Sequence, residues 1–373
     1  MQQHRFISPL LKAACTIALA AAPTYIHADS FTQTNLVSDV PNLATTTDPN
    51  LKNPWGVSFS ATSPFWVSNQ ASGNSTLYGG TGNIVPLVVT IPPGASPPSG
   101  PTGQVFNGSP GFLLSNNNSA AFIFDTLNGT IAGWNSGTSA QPEVSTPGAI
   151  YTGLALASSG GSNFLYAANN LGNIHVFDSG WNDVTPTLFA GKFVDPNAPA
   201  GFTPFNVQTI GSNLYVTYAQ ITPMGTPLPG GFVDEFDTSG NLIKRVATGG
   251  PLSAPWGVIL APANFGSFSN DLLIGNFGNG EILVYNPLTD AFLGTIDGKN
   301  GQPIVNDFLW ALQTRNATGF NSNAVYFTAG INNQQDGLFG ELTAATPEPG
   351  TIFGTAFGLI ALALPKLRRA LRV

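Results

Sequence analysis

The chain repeats itself, and the period of the repeat limits what it can become. Asn53-Pro54-Trp55-Gly56-Val57 matches Ala254-Pro255-Trp256-Gly257-Val258. Each copy continues with a short apolar strand and a second strand ending in Asn (65–69 and 272–276). A Gly/Asn turn follows, then a third strand (75–78 and 281–285) and a fourth (87–91 and 292–296). The same order recurs at 153–157, 163–169, 173–177 and 187–190, and again at 205–210, 213–218, 231–236 and 242–246. A weaker copy runs through 111–114, 121–124 and 130–134, and a last one through 308–312, 324–328 and 338–342. First strands thus fall near 56, 112, 154, 206, 257 and 310. A four-stranded antiparallel unit of that length is a β-propeller blade.

The expected fold is therefore all-β: a six-bladed β-propeller of four-stranded antiparallel blades. The strands are rich in β-branched and aromatic residues and are separated by Gly, Asn and Pro turns. Composition agrees, since 43 Gly and 30 Pro punctuate the chain and only 8% of residues are charged. Helices need Ala, Leu, Glu, Lys and Arg on their surfaces, and this chain has too few charged residues to build them. A β-sandwich or a pair of β domains is the alternative; six matching units without a break in composition argue against it. The sixth unit lacks a fourth strand of its own. Residues 31–38 are expected to supply it and close the ring, because an open ring leaves raw sheet edges. The Asn-containing turn followed by a third strand with an aromatic end resembles the NHL/SMP-30-like group of six-bladed propellers.

Charge is distributed unevenly. Six of the twelve Lys and Arg lie in the two terminal segments, while eighteen of the nineteen acids lie between Asp29 and Pro347. The middle carries six basic residues, so its net charge is near −12 rather than the −7 of the whole. That balance excludes nucleic acid as a partner. Residues 1–28 read as a secretory signal: Arg5 and Lys12, then an apolar run from Ala13 to Ala22, with a cleavage point expected after Ala28. A buried N-terminal helix is the alternative. The only cysteine, Cys15, lies in this segment, so the mature chain has no disulfide and no thiolate. At the other end, 347–373 combine Pro347-Glu348-Pro349 with an apolar run and Lys366, Arg368, Arg369 and Arg372. This closely resembles the PEP-CTERM sorting signal of bacteria. The resemblance implies recognition by an exosortase-type membrane enzyme and delivery to the cell surface or extracellular matrix. The protein would touch the membrane only through this segment, before processing. An ordinary tail anchor is the alternative, and both readings place the propeller domain, 29–346, outside the cytoplasm. With its Pro-Trp-Gly-Val strand starts and this tail, the whole chain also looks like a family of secreted bacterial propeller proteins; that resemblance implies no activity.

Propeller ligands usually meet the face made by the second-to-third-strand loops and the loops between blades. On that face the sequence places Asn69, Asp125, Asn169 and Asn276 at second-strand ends and Asp307 between blades. Such oxygen-bearing side chains suit sugar hydroxyls or a hard cation such as calcium, although Asn and Asp also serve as turn formers. Trp55, Trp256 and Trp310 open three first strands and could stack on a sugar ring or pack the blades. His175 is the one histidine after the signal segment, and no Ser-His-Asp or zinc pattern accompanies it. The lactonase-type relatives of this propeller group carry an acid on the first strand; here those strands read Gly-Val-Ser-Phe, Gly-Val-Ile-Leu and Leu-Ala-Leu-Ala, with no Glu. The long Pro/Gly/Ser stretch 92–110 reads as an exposed loop or lid. Two functions follow: a non-enzymatic surface propeller that binds a glycan or a protein partner, or a calcium-assisted hydrolase or lyase at the channel mouth. The first is the expectation. No cofactor is firmly indicated, and the sequence names no metal.

Overall fold

The computed structural model describes residues 30–92, 99–222 and 225–345, so the signal-like and sorting-like segments lie outside the described residues. The chain starts with β1 (Phe31–Ser38) and the two-residue β2 (Thr46–Thr47). Blade 1 is β3 (Pro54–Ser58), β4 (Phe65–Asn69), β5 (Asn74–Tyr78) and β6 (Ile84–Thr90). Blade 2 is β7 (Pro101–Phe106), β8 (Phe122–Thr126), β9 (Thr130–Trp134) and β10 (Gln141–Ser145). Blade 3 is β11 (Tyr151–Ser159), β12 (Ser162–Asn169) and β13 (Asn173–Asp178). Blade 4 is β14 (Thr203–Ile210), β15 (Asn213–Ala219), β16 (Phe232–Asp237) and β17 (Leu242–Thr248). Blade 5 is β18 (Pro255–Leu260), β19 (Leu272–Asn276), β20 (Ile282–Tyr285) and β21 (Phe292–Thr295). Blade 6 is β22 (Leu309–Thr314), β23 (Val325–Ala329) and β24 (Leu338–Ala344), and β1 completes it.

Ring closure follows the sequence expectation. β1 pairs antiparallel with β24 from Phe31 opposite Ala344 to Ser38 opposite Leu338. The joint is pinned where the chain turns back. Lys52 forms ion pairs with Asp39 and, at 3.1 Å, with Asp336. Asp39 accepts the Gly337 N–H at 2.7 Å, and the Ser38 hydroxyl donates to the Gly337 carbonyl at 2.7 Å.

Two expected strands lie elsewhere. The first strand of blade 2 is β7, not 111–114; that segment sits in the β7–β8 connection with Phe112 at φ 59°. The reading of 92–110 as one exposed loop is corrected by the same finding, since Thr102, Gly103 and Gln104 are buried. The Pro and Gly content around this strand hid its pattern. In blade 3 the segment 187–190 forms turns rather than a fourth strand. The outer position is taken by the chain just before it: Val184 N–H donates to the Val176 carbonyl, and Val176 N–H donates to the Thr185 hydroxyl.

The burial gradient explains why alternation is weak in the sequence. β3, β4 and β8 are buried at every residue, because both faces of an inner strand meet a neighbouring blade. Outer strands such as β6 alternate exposed and half-buried. At the axis the first strands approach backbone to backbone. A Cβ on Gly56 would lie 2.6 Å from the Thr102 carbonyl oxygen, and one on Gly257 2.6 Å from that of Trp310. Gly103 faces the Leu154 nitrogen and Gly153 the Asn206 side chain in the same way. Side-chain amides and hydroxyls stitch the same layer. Gln104 donates to the Gly56 and Trp66 carbonyls (2.7 and 2.8 Å), Asn206 to Trp256 (2.8 Å) and Thr328 to Trp55 (2.6 Å).

Gly257 needs no left-handed backbone, so its role is purely steric. Gly257→Ala is expected to destabilise the protein by about 1–3 kcal/mol through overpacking, read as a lower urea midpoint with an unchanged slope. An unchanged midpoint would show that the inner ring has room to spare.

Candidate functional site

One large cavity, about 940 Å³, opens on the face made by the second-to-third-strand loops and the inter-blade loops. Its construction follows from strand periodicity. Side chains alternate along a strand, so the residue after the last one of each second strand turns toward the axis. These residues are Gln70, Leu127, Asn170, Gln220 and Phe277, and all five line the cavity. Blade 6 contributes Gln334 from the short turn after β23. The floor is made by residues that open the first strands: Trp55, Thr152, Phe205 and Trp310.

The aromatic floor is one cluster. Trp55 stacks on Trp310 with ring centroids 3.4 Å apart, and Phe277 tilts against Trp310 at 4.2 Å. Phe205 lies 5.6 Å from Phe277 and 5.9 Å from Trp310. Trp310 is held in place by donating its indole N–H to the Asn53 side chain at 3.0 Å. Trp256 does not line the cavity. It packs edge-on against Trp55 (6.3 Å) and Trp310 (5.7 Å) and donates to the Thr152 carbonyl at 2.9 Å. The three tryptophans therefore meet at the axis; two of them face the cavity and the third supports them.

The strand-end residues singled out from the sequence sit one layer below. Asn69 and Asn276 are fully buried. Asn69 donates to the Asn74 and Thr76 side chains, both at 2.9 Å. Asn169 accepts the Ile150 N–H at 3.1 Å, and Asn276 accepts the Ser253 N–H at 3.0 Å and donates to the Pro251 carbonyl at 2.9 Å. Asn169 and Asn276 thus hold the incoming loop of their own blade, while Asn69 ties the end of β4 to β5. Asp307 is exposed on the β21–β22 connection and outside the cavity lining. The cavity-facing side chain on these loops is one position past Asn69, Asn169 and Asn276. The alternation of β4 and β19, read one residue past their ends, is the signal that would have found Gln70 and Phe277.

Electrostatics separate the cavity from the ionisable groups. No Asp, Glu, Lys, Arg or His is among its described lining residues, and no cluster of three potential metal-ligating side chains occurs among the described residues. Asp125 is fully buried between blades 2 and 3, where its Oδ1 accepts the Gly103 N–H at 2.6 Å and the Thr102 hydroxyl at 2.7 Å. Its other oxygen has no partner. Burial pushes its pKa up to about 7, against the pull of those donors. Asp234 is raised to about 7 by burial and by neighbouring Asp195, with Arg245 opposing. His175 sits within blade 3 with Nδ1 2.8 Å from the Tyr151 hydroxyl, and burial lowers its pKa against the pull of Asp183.

A carboxyl whose folded pKa lies above its unfolded value favours folding most at low pH and loses that contribution as pH rises through the folded pKa. Asp125 should therefore make the protein more stable at pH 5 than at pH 8. Asp125→Asn keeps the acceptor and removes the charge, so it should flatten this slope in thermal melts across pH 4–9, leaving the part due to Asp234. A wild-type slope that survives the substitution would rule out Asp125 as its source.

Comparison with known proteins places the chain. No family model matches it. It is 30% identical over 324 residues to "Uncharacterized protein R648" of Acanthamoeba polyphaga mimivirus, covering 82% of this chain and 78% of that one. It is 29% identical over 323 residues to "Uncharacterized protein L690" of the same virus, covering 82% and 84%. Among solved structures, the soluble aldose sugar dehydrogenase of Escherichia coli superposes with a TM-score of 0.52 at 12% identity, covering 85% of this chain and 100% of that one. A streptogramin B lyase structure gives 0.46 at 13% identity, covering 85% and 98%. At 12% identity the likeness to the aldose sugar dehydrogenase is one of fold alone. The mimivirus match extends through most of both chains, and the chain belongs to the same protein family as R648.

Proposed function

We propose that this protein is a non-enzymatic propeller that binds an uncharged glycan in its axial cavity. The observation that carries the reading is the lining itself: an aromatic floor, a rim of side-chain amides, and no ionisable group among the described lining residues. Aromatic faces stack on the apolar faces of sugar rings, and Gln and Asn offer paired donors and acceptors to hydroxyls. A calcium-assisted hydrolase or lyase needs two or more carboxylates at one mouth. Here Asp125, Asp195 and Asp234 are engaged within or between blades instead.

Surface display is part of the same proposal. It rests on residues 1–28 and 347–373, whose sequences resemble an export signal and a PEP-CTERM sorting signal, with an exosortase-type enzyme as processing partner. The viral source of the relatives says nothing about that motif. The scarcity of Lys and Arg in the body fits an extracellular surface of Asn, Ser and Thr.

Titration calorimetry against a panel of neutral oligosaccharides tests the binding reading. Gln70→Ala and Gln220→Ala should each weaken the best ligand by about tenfold, the scale of one or two lost hydrogen bonds. Asp125→Asn and added chelator should leave it unchanged. Binding that needs calcium, or turnover of the ligand, would replace this reading with the hydrolytic one. Mass spectrometry of the exported protein tests the address: the expected mature chain begins at Asp29 and ends near Pro347-Glu348-Pro349.

A further inference from the structure

The cavity wall is chemically divided. The aromatic part is Phe277, Trp310 and Trp55 of blades 5, 6 and 1, joined by Phe205 of blade 4; the rest of the apolar lining from blades 2, 3 and 4 is aliphatic, with Leu127, Ile150, Leu171, Ile221 and Leu228. Two of these leucines are uncovered: Leu171 is 61% exposed and Leu228 41%. Single exposed leucines are ordinary on a protein surface, but these two stand on the rim of one apolar cavity.

Blade 4 builds its share of this wall deliberately long. The β15–β16 connection folds back on itself, with Leu228 N–H donating to the Gln220 carbonyl and Thr222 N–H to the Thr226 carbonyl, both at 2.9 Å. Ile221 bridges to Pro227 within it. The excursion sets Ile221 and Leu228 in the cavity lining, with Ile221 packed beside the aromatic cluster. The equivalent turns of blades 1 and 5 are short: after Gln70 and Phe277 they hold only Ala71-Ser72-Gly73 and Gly278-Asn279-Gly280-Glu281. The cavity, at about 940 Å³, lies near the upper end of the range for small-molecule sites, more room than one sugar ring fills.

We propose that the ligand is an uncharged amphiphile, a sugar carrying an alkyl or acyl chain. The sugar would stack on the aromatic floor within reach of Gln70 and Gln220. The chain would run over Ile221 and between Leu171 and Leu228 to the rim. This rests on the glycan reading and adds the second half of the ligand.

Matched methyl and octyl glycosides of glucose, galactose and mannose test it by titration calorimetry, with the octyl compounds kept below their micelle concentration. For any sugar that binds, the octyl compound should bind at least about tenfold more tightly, which requires burial of only about two methylenes. The double variant Leu171→Asn with Leu228→Asn should bring the octyl affinity down to the methyl value. Exposed positions tolerate such changes, and an unchanged melting temperature checks this. Equal binding of methyl and octyl members overturns the chain-binding sector and leaves the glycan reading standing. An octyl gain that persists in the double variant also overturns it, since the chain is then held elsewhere. Failure of every glycoside, methyl and octyl, overturns both.

Discussion

Everything in this molecule depends on how closely the first strands approach at the axis. Gly56, Gly103, Gly153 and Gly257 occupy equivalent places in blades 1, 2, 3 and 5, one residue after Trp55, Thr102, Thr152 and Trp256. With no side chain there, each of these first strands lies close against the next. The residue just before each glycine is buried beside the axis, and Trp55 and Trp256 there join Phe205 and Trp310, at the same place in blades 4 and 6, in a single buried cluster.

The cavity above that floor is equally a product of strand geometry. At the end of each second strand the chain must turn, and the last strand residue is spent on holding the turn. Asn69, Asn169 and Asn276 do so with their amides. The next residue lines the cavity, and where it is an amide it also ties a neighbouring loop, as Gln70 does by donating to the Ser99 carbonyl and Asn170 to the Pro204 carbonyl. Blades 1, 3 and 4 place an amide there (Gln70, Asn170, Gln220), while blades 2 and 5 place an apolar group (Leu127, Phe277). The fold fixes where these side chains stand, and the choice among them at each blade sets the chemistry of the mouth.

This division also explains what could be read from the sequence. The six-unit period and the closing strand were legible because strand–turn order survives even where residues differ. The closing strand in particular followed from an unpaired edge at 338–342, a need that physics imposes on any ring. β7 was not legible, because Pro101 and Gly103 lie in a run of Pro, Gly and Ser that looks like a loop by composition alone. The outer position of blade 3 was misplaced because 187–190 is apolar enough for a strand; the backbone groups of β13 are instead met by 184 and 185. At the site, Trp55 and Trp310 were recognisable as a repeated aromatic. Their meeting at the axis, and the hand-over from Asn69 to Gln70, emerge only when pleat direction is followed past the strand end.

The scarce charges complete the picture. Lys52 joins the ends of the ring through Asp39 and Asp336. Lys244 pairs with Asp290 across blades 4 and 5 at 2.6 Å, and Arg245 links Asp195 to Asp234. Arg315 is buried under Phe320, with its guanidinium carbon 3.7 Å from the ring centre, and donates to the Ser60 and Ser63 carbonyls. The protein uses these charges as clasps between segments. None of them reaches the axial mouth. A site arranged this way cannot draw its ligand from a distance by charge, and must discriminate by stacking, shape and hydrogen bonds once contact is made. Under the proposed glycan reading, selectivity would then lie in the rate of release rather than in the rate of encounter.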